Sequence, residues 1–242
     1  MRKLSVGVFV LVLAAAGRAN AAPIVISNIT GGWQNATPAA NATIANQAGQ
    51  DVDSVRWGVP LSAEGKSGYD FDPADNPINY SLGNPFALGL FTHINQPLDF
   101  DTSISGVDYS FAFTTDGVPN LLSDIFHFDH NETTNSGTCP SPSGDNPCDD
   151  IVTISSVNLN SLITSGQDQF YFNLLGFSTD GGLTRTATIF SPEVGSTSAT
   201  LYGMITSAPV VNHLGSTPEP ASILLVGTGM AFVARRLRRR PQ

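Results

Sequence analysis

Lysine and arginine are almost missing from the body of this 242-residue chain. Between Ala22 and Thr217 only Arg56, Lys66 and Arg185 are basic, against nineteen carboxylates, a balance of −16. The whole-chain charge of −9 conceals this, because eight of the eleven basic residues lie in the first 18 or the last 8 positions. A surface so poor in cations cannot displace counterions from nucleic acid or dock on anionic lipid, which excludes both as partners. Charged residues of both signs are only 13% of the chain, about half the usual share, while the apolar fraction of 41% is ordinary. Disorder by charge excess is therefore excluded as well. Long amphipathic helical patterns are missing between residues 23 and 210. So are a Gly-x-Ser-x-Gly elbow, a His-Glu-x-x-His pair and a phosphate-cradling glycine loop, which removes the commonest signatures of hydrolases and nucleotide enzymes.

What is present starts at the two ends. Arg2 and Lys3 precede an apolar run from Leu4 to Ala16, and Ala19-Asn20-Ala21 follows before Ala22-Pro23. A positive start, a short apolar stretch and an Ala-x-Ala site are the three parts of a secretory signal peptide, so residues 1–21 are expected to be removed by signal peptidase after Ala21. The other end reads Pro218-Glu219-Pro220, an uncharged apolar run over 221–234, then an arginine cluster over 235–240 that opens with Arg235 and Arg236. Fourteen residues make a helix of about 21 Å, short of a bilayer core of about 30 Å but extendable by snorkelling arginines. With the N-terminus exported, the arginines stay cytoplasmic and hold the segment in the inner membrane as a temporary stop.

That order of triplet, apolar helix and basic end resembles the PEP-CTERM sorting signal of Gram-negative bacteria, over about 25 residues. The resemblance implies processing near Pro218-Glu219-Pro220 by the membrane protease exosortase and delivery to the cell surface or extracellular matrix, in bacteria that make exopolysaccharide. A permanent tail anchor is the alternative.

Between the ends, short apolar or alternating runs recur, bounded by Gly, Pro, Asn or Asp. They predict strands at 24–29, 42–45, 54–57, 87–92, 107–114, 125–128, 151–154, 170–177, 186–190 and 199–206. Ten short strands at this spacing give an all-β fold, a β-sandwich of jelly-roll type over 22–207, whose strand order the spacing leaves open. Residues 158–164 are expected to form one helical turn, and 208–217 a stalk ahead of the sorting segment 218–242. Cys139 and Cys148 are the only cysteines, and export makes a disulfide between them the expectation; Cys-x-x-Cys chemistry is absent.

Thr92-His93-Ile94-Asn95 is the most distinctive string of the domain. It resembles the signature of the THxN family of PEP-CTERM proteins, and Arg56-Trp57-Gly58, Tyr69-Asp70-Phe71 and Ala199-Thr200-Leu201-Tyr202-Gly203 resemble the related choice-of-anchor domains. Membership implies no biochemical activity. Physically, a strand ending at Thr92-His93 and turning at Asn95-Gln96-Pro97 would let Asn95 cap the turn and His93 bind neighbouring carbonyls, with a ligand or sugar contact as the functional alternative. A metal-like cluster is His127, Asp129 and Glu132: the first two share a strand face and the third can join from the following turn. Hydrogen bonding at a strand edge explains it equally well. Paired loop carboxylates at Asp51/Asp53, Asp70/Asp72/Asp75, Asp99/Asp101 and Asp145/Asp149/Asp150 could bind Ca²⁺, or form a solvated acidic surface. Trp33 and Trp57 could stack on sugars or fill the core.

The function expected from these features is a non-catalytic, exported surface or matrix protein associated with exopolysaccharide. A carbohydrate- or Ca²⁺-binding module is the alternative, and a polysaccharide hydrolase the third reading. Mass spectrometry of the exported protein is expected to find Ala22 as the first residue and a C-terminus near Pro218; an intact 1–21 or 221–242 segment would contradict the reading of that end.

Overall fold

A computed structural model describes residues 24–210, apart from 47–51, 100, 116–117, 135–137, 140–147, 157–159 and 166–167. The expected signal peptide with Ala19 and Ala21, residues 211–217 of the expected stalk, and the sorting segment with Pro218, Glu219, Pro220, Arg235 and Arg236 all lie outside the described residues. Among the described residues, no helix is long and apolar enough to cross a membrane.

The chain builds two antiparallel sheets packed as a sandwich. The first comprises β1 (Ile24–Thr37), β5 (Ile78–Tyr80), β7 (Gly106–Thr115), β8 (Val118–Asn131), β9 (Asp150–Ile154) and β12 (Thr188–Ser191), in the order β12-β9-β8-β7-β1-β5. The second comprises β2 (Ala42–Ala45), β3 (Asp53–Trp57), β4 (Ser67–Pro73), β6 (Pro85–Asn95), β10 (Ser161–Ser165), β11 (Asp168–Ser178) and β13 (Gly195–Thr206), in the order β10-β11-β13-β6-β4-β3-β2. All ten expected strands form. The reason is plainest in β7, where Val107, Tyr109, Phe111 and Phe113 alternate with polar or small residues and are at most 1% exposed.

Three strands were not anticipated: β4, β5 and β10. The last corrects the expected helical turn at 158–164, since Ser161–Ser165 pairs along its length with Phe172–Asp168 of β11 and buries Ile163. Glycine is required at position 58, just after β3: its φ is +83°, and a Cβ there would meet the side chain of Leu98.

The core is aromatic. Trp33 of β1 packs against Tyr69 and Phe91 of the second sheet and against Tyr109 and Phe128 of the first, with centroids 4.9–6.3 Å away. Trp57 packs on Tyr69 at 4.7 Å, and neither tryptophan exceeds 1% exposure, so neither offers a stacking platform for a sugar. Their indole faces are spent on joining the sheets.

Cys139 and Cys148 form the expected disulfide. The closed loop of 10 residues gives about 2.5–3 kcal/mol by the chain-entropy argument. Cys139→Ser/Cys148→Ser, or reduction by dithiothreitol, is expected to lower the unfolding free energy by that amount in urea titration; an unchanged midpoint would show that the bridge constrains nothing.

Candidate functional site

The stretches that resemble the family signatures converge on adjacent strands of the second sheet. Arg56-Trp57 lies on β3, Tyr69-Asp70-Phe71 on β4, Thr92-His93-Ile94-Asn95 on β6 and Ala199–Gly203 on β13, which neighbour one another in that order. Register places Tyr69 opposite His93 and Asp70 opposite Thr92. On the outward face, Arg56 grips Asp70 through two bonds of 2.7 and 2.9 Å and donates to the Tyr69 carbonyl at 2.9 Å. Thr92 and Ser198 pair their hydroxyls at 2.8 Å. On the inward face stand Trp57, Tyr69 and His93.

Two details differ from the turn expected at the Thr92–Asn95 signature. β6 continues through Asn95, so the whole string is strand and Asn95 caps no turn; its amide donates 2.9 Å to the carbonyl of Ser191 at the end of β12. His93 binds no carbonyl. Its side chain is fully buried among Trp57, Tyr69 and His130, and neither ring nitrogen has a hydrogen-bond partner. Burial first, and His130 second, hold its pKa well below the ordinary imidazole value, so it is neutral.

Of the expected His127, Asp129 and Glu132 cluster, the structure brings two residues together and sets the third apart. His127 and Asp129 do share a face, with Nε2 and Oδ1 3.3 Å apart, and His127 Nδ1 is 2.6 Å from Asp108 Oδ1. That face is the outer one, because Phe126 and Phe128 occupy the inner positions of β8. Glu132 goes elsewhere: it belongs with His130, which follows Phe126 and Phe128 on the inward side, and its Oε2 is 3.3 Å from His130 Nε2.

A second group of residues gathers there, in which His130 and Glu193 were not singled out in the sequence. His130 Nδ1 is 2.7 Å from the Tyr69 hydroxyl, and His130 Nε2 is 3.9 Å from Asp150 Oδ2. Asp150 starts β9 and is fully buried; its Oδ1 accepts the Thr133 backbone N–H at 2.8 Å, while Oδ2 has no hydrogen bond. One donor atom each from His93, His130 and Asp150 lie within 4.8 Å of one another, and so do those of Glu132, Asp150 and Glu193. These are the residues that could hold a metal ion. The usable signal was strand parity: a histidine two residues beyond Phe126-x-Phe128 must face the core. Asp150, at the start of β9, was grouped only with its neighbouring loop carboxylates, and Glu193, in the connection between β12 and β13, carried no local signal.

Beside the cluster runs an open groove of about 780 Å³, to which Leu61, Leu98, Asp99, Asp101, His130 and Glu132 contribute. Glu132 thus stands between the buried cluster and solvent. Asp53 is hydrogen-bonded by Tyr109 at 2.7 Å, and Asp70 by Arg56, which accounts for two of the carboxylates considered for Ca²⁺; Asp51 and Asp145 lie outside the described residues.

Comparison with known proteins adds the decisive observation at the far end of the chain: residues 216–240 match the PEP-CTERM protein-sorting motif. The chain carries a PEP-CTERM sorting signal. The motif implies exosortase as processing partner, and export to the cell envelope or surface through transient membrane anchoring. No curated protein matches the chain.

Burial raises the Asp150 carboxyl from 3.8 to about 8, with Glu132 adding to the rise. Such a group contributes stability that is fully present below 3.8 and is lost as pH rises towards 8, because the unfolded chain releases the proton first. His93, His130, Glu132, Glu193 and Thr133 face it, and His93 acts oppositely below its ordinary value of 6.5. In EDTA, the stability difference between Asp150→Asn and the natural chain is therefore expected to grow in the variant's favour from pH 4 to pH 8, read by urea titration. A pH-independent difference would contradict it.

Proposed function

We propose that this protein is an exosortase-sorted component of the cell surface or extracellular matrix of a Gram-negative bacterium. In this reading it is associated with exopolysaccharide and has no catalytic role of its own. The observation that carries this is the sorting motif at 216–240 following an acidic β-sandwich. In support, the chain crosses repeatedly between the two sheets, as a jelly-roll-like winding does, and such domains serve as rigid, soluble display units. A balance of −16 over the domain keeps it soluble by self-repulsion and steers it to neutral glycans or cations rather than polyanions. The last described contact is a clamp on Val210, whose N–H donates to Asn160 Oδ1 at 2.6 Å and whose carbonyl accepts from Asn160 Nδ2 at 3.0 Å. Five residues separate it from the start of the motif at 216, a reach of at most about 22 Å, so during sorting the domain would stay close to the membrane.

The groove favours a second reading, a glycan- or Ca²⁺-binding module, because it sets apolar Leu61, Leu98 and Ile104 beside Asp99, Asp101 and Glu132. Calorimetry with exopolysaccharide, with and without Ca²⁺, distinguishes the two: heat with saturation supports the module, silence the display role.

Deleting 221–242 is expected to leave the protein in the periplasm or medium, absent from the surface by immunolabelling of intact cells. Normal surface display of this truncation would overturn the role of the tail.

A further inference from the structure

The buried cluster between the sheets poses a problem of hydrogen bonding and charge that the protein's own groups leave open. His93 is fully buried with two polar nitrogens and no partner for either, and Asp150 keeps one carboxylate oxygen without a hydrogen bond although it is equally buried. An unsatisfied buried polar atom costs on the order of a lost hydrogen bond, and two side chains aimed into one spot compound it. Cationic help is scarce: of the three Lys/Arg residues between Ala22 and Thr217, Arg56 is held by Asp70 and Arg185 by the Gly182 carbonyl.

We propose that His93, His130 and Asp150, completed by Glu132 and Glu193, bind one divalent first-row transition-metal ion that pins the two sheets together. The donor set selects the class. Two imidazoles with carboxylates suit Zn²⁺ and its neighbours, whereas Ca²⁺ wants six to eight oxygens and Mg²⁺ keeps its waters. Donors around a tetrahedral Zn²⁺ ion, each about 2.0–2.1 Å from it, stand about 3.4 Å apart. The observed limit of 4.8 Å therefore needs a contraction of at most about 1.4 Å, within reach of side-chain rotation.

The surroundings have the form of a metal site's outer shell. When the His130 Nδ1–H donates to the Tyr69 oxygen, 2.7 Å away, Nε2 is left with its lone pair facing Glu132 and Asp150. The Thr133 N–H fixes Asp150 from the other side. Glu132 lines the groove and gives an ion its way in. His93 comes from β6 of the second sheet, His130 and Asp150 from β8 and β9 of the first, and Glu193 from the connection between β12 and β13. An ion held by all of them is a bridge across the sandwich, independent of how the chain is sorted.

The test uses the full-length chain without an affinity tag, in detergent, stripped with EDTA and dialysed. Zn²⁺ is expected to bind with one tight equivalent by calorimetry and to raise the melting temperature by roughly 5–10 °C at a hundredfold excess over Kd. Ca²⁺ and Mg²⁺ at equal concentration should do neither. Co²⁺ in the same protein should give visible d–d bands of a nitrogen- and oxygen-ligated site, a readout that requires no variant to fold. His93→Phe, which keeps the ring volume, and Asp150→Asn should each weaken Zn²⁺ binding at least tenfold. His127→Gln/Asp129→Asn, on the outer face, should leave it unchanged. The proposal is overturned if the natural chain binds no Zn²⁺, if Ca²⁺ reproduces the shift, or if the outer-face double variant loses binding while His93→Phe retains it.

Discussion

The ring of Tyr69 is where the two sheets are made into one body. It lies within 4.7–6.3 Å, centroid to centroid, of Trp33, Trp57, Phe91, His93, Phe128 and His130, and these come from both sheets. Burying rings of this size is the largest favourable term the domain has, and it grows with the apolar area removed from water. The same burial imposes a constraint. A phenol in the centre of a sandwich cannot reach solvent, so its hydroxyl must find a partner inside, and it finds His130 at 2.7 Å. Once one imidazole is drawn inward, its second nitrogen needs company too, and Glu132 supplies it at 3.3 Å. The polar cluster thus follows from the aromatic packing.

Two buried aspartates show how differently such a demand can be met. Asp53, on β3, receives the Tyr109 hydroxyl across the sandwich at 2.7 Å, and its own backbone carbonyl accepts the Trp33 indole N–H at 3.2 Å. These bonds lock the two sheets at one place with neutral donors. Asp150 has a backbone donor on one oxygen only, and its other oxygen faces a histidine and sits near two glutamates. In a domain with so little Lys and Arg, a second arginine cannot be spared for it. Low basic content shifts the work of charge compensation inside the fold onto hydroxyls, amides and imidazoles.

The fold was legible wherever alternation was clean. Val107, Tyr109, Phe111 and Phe113 announce β7 because every second residue is large and apolar. β4 was hidden although Tyr69 and Phe71 alternate in the same way, because Asp70, Asp72, Pro73 and Gly68 give it the composition of a loop. β5 is three residues long, below the length at which any period can be read, and β10 is an edge strand of mostly small polar residues in which Ile163 is buried. At the candidate site, His93 stood out as part of a string, yet its surroundings could not be read. They come from β3, β4 and β8, whose proximity depends on strand order, and strand order is invisible in spacing. The misplacement of Glu132 has a local cause: the turn after Asn131 is anchored by buried Thr133 to Asp150 and Cys148, which sets Glu132 beside His130 on the inward side and away from His127 on the outer one.

Thr133 also shows why the covalent bridge and the cluster cannot be considered apart. Its hydroxyl donates to the Cys148 carbonyl at 2.9 Å and its N–H to Asp150 at 2.8 Å, so the residue that orients the buried carboxylate is tied to the disulfide's own backbone. Cys148 is itself fully buried, two positions before Asp150. Closing the 139–148 loop therefore does more than remove freedom from the unfolded chain. It limits how far the start of β9 can move relative to the end of β8, and those two strand ends carry Asp150 and His130. A site assembled from residues far apart in sequence needs its backbones fixed before its side chains can be, and an exported protein can use a disulfide for that where a cytosolic one could not.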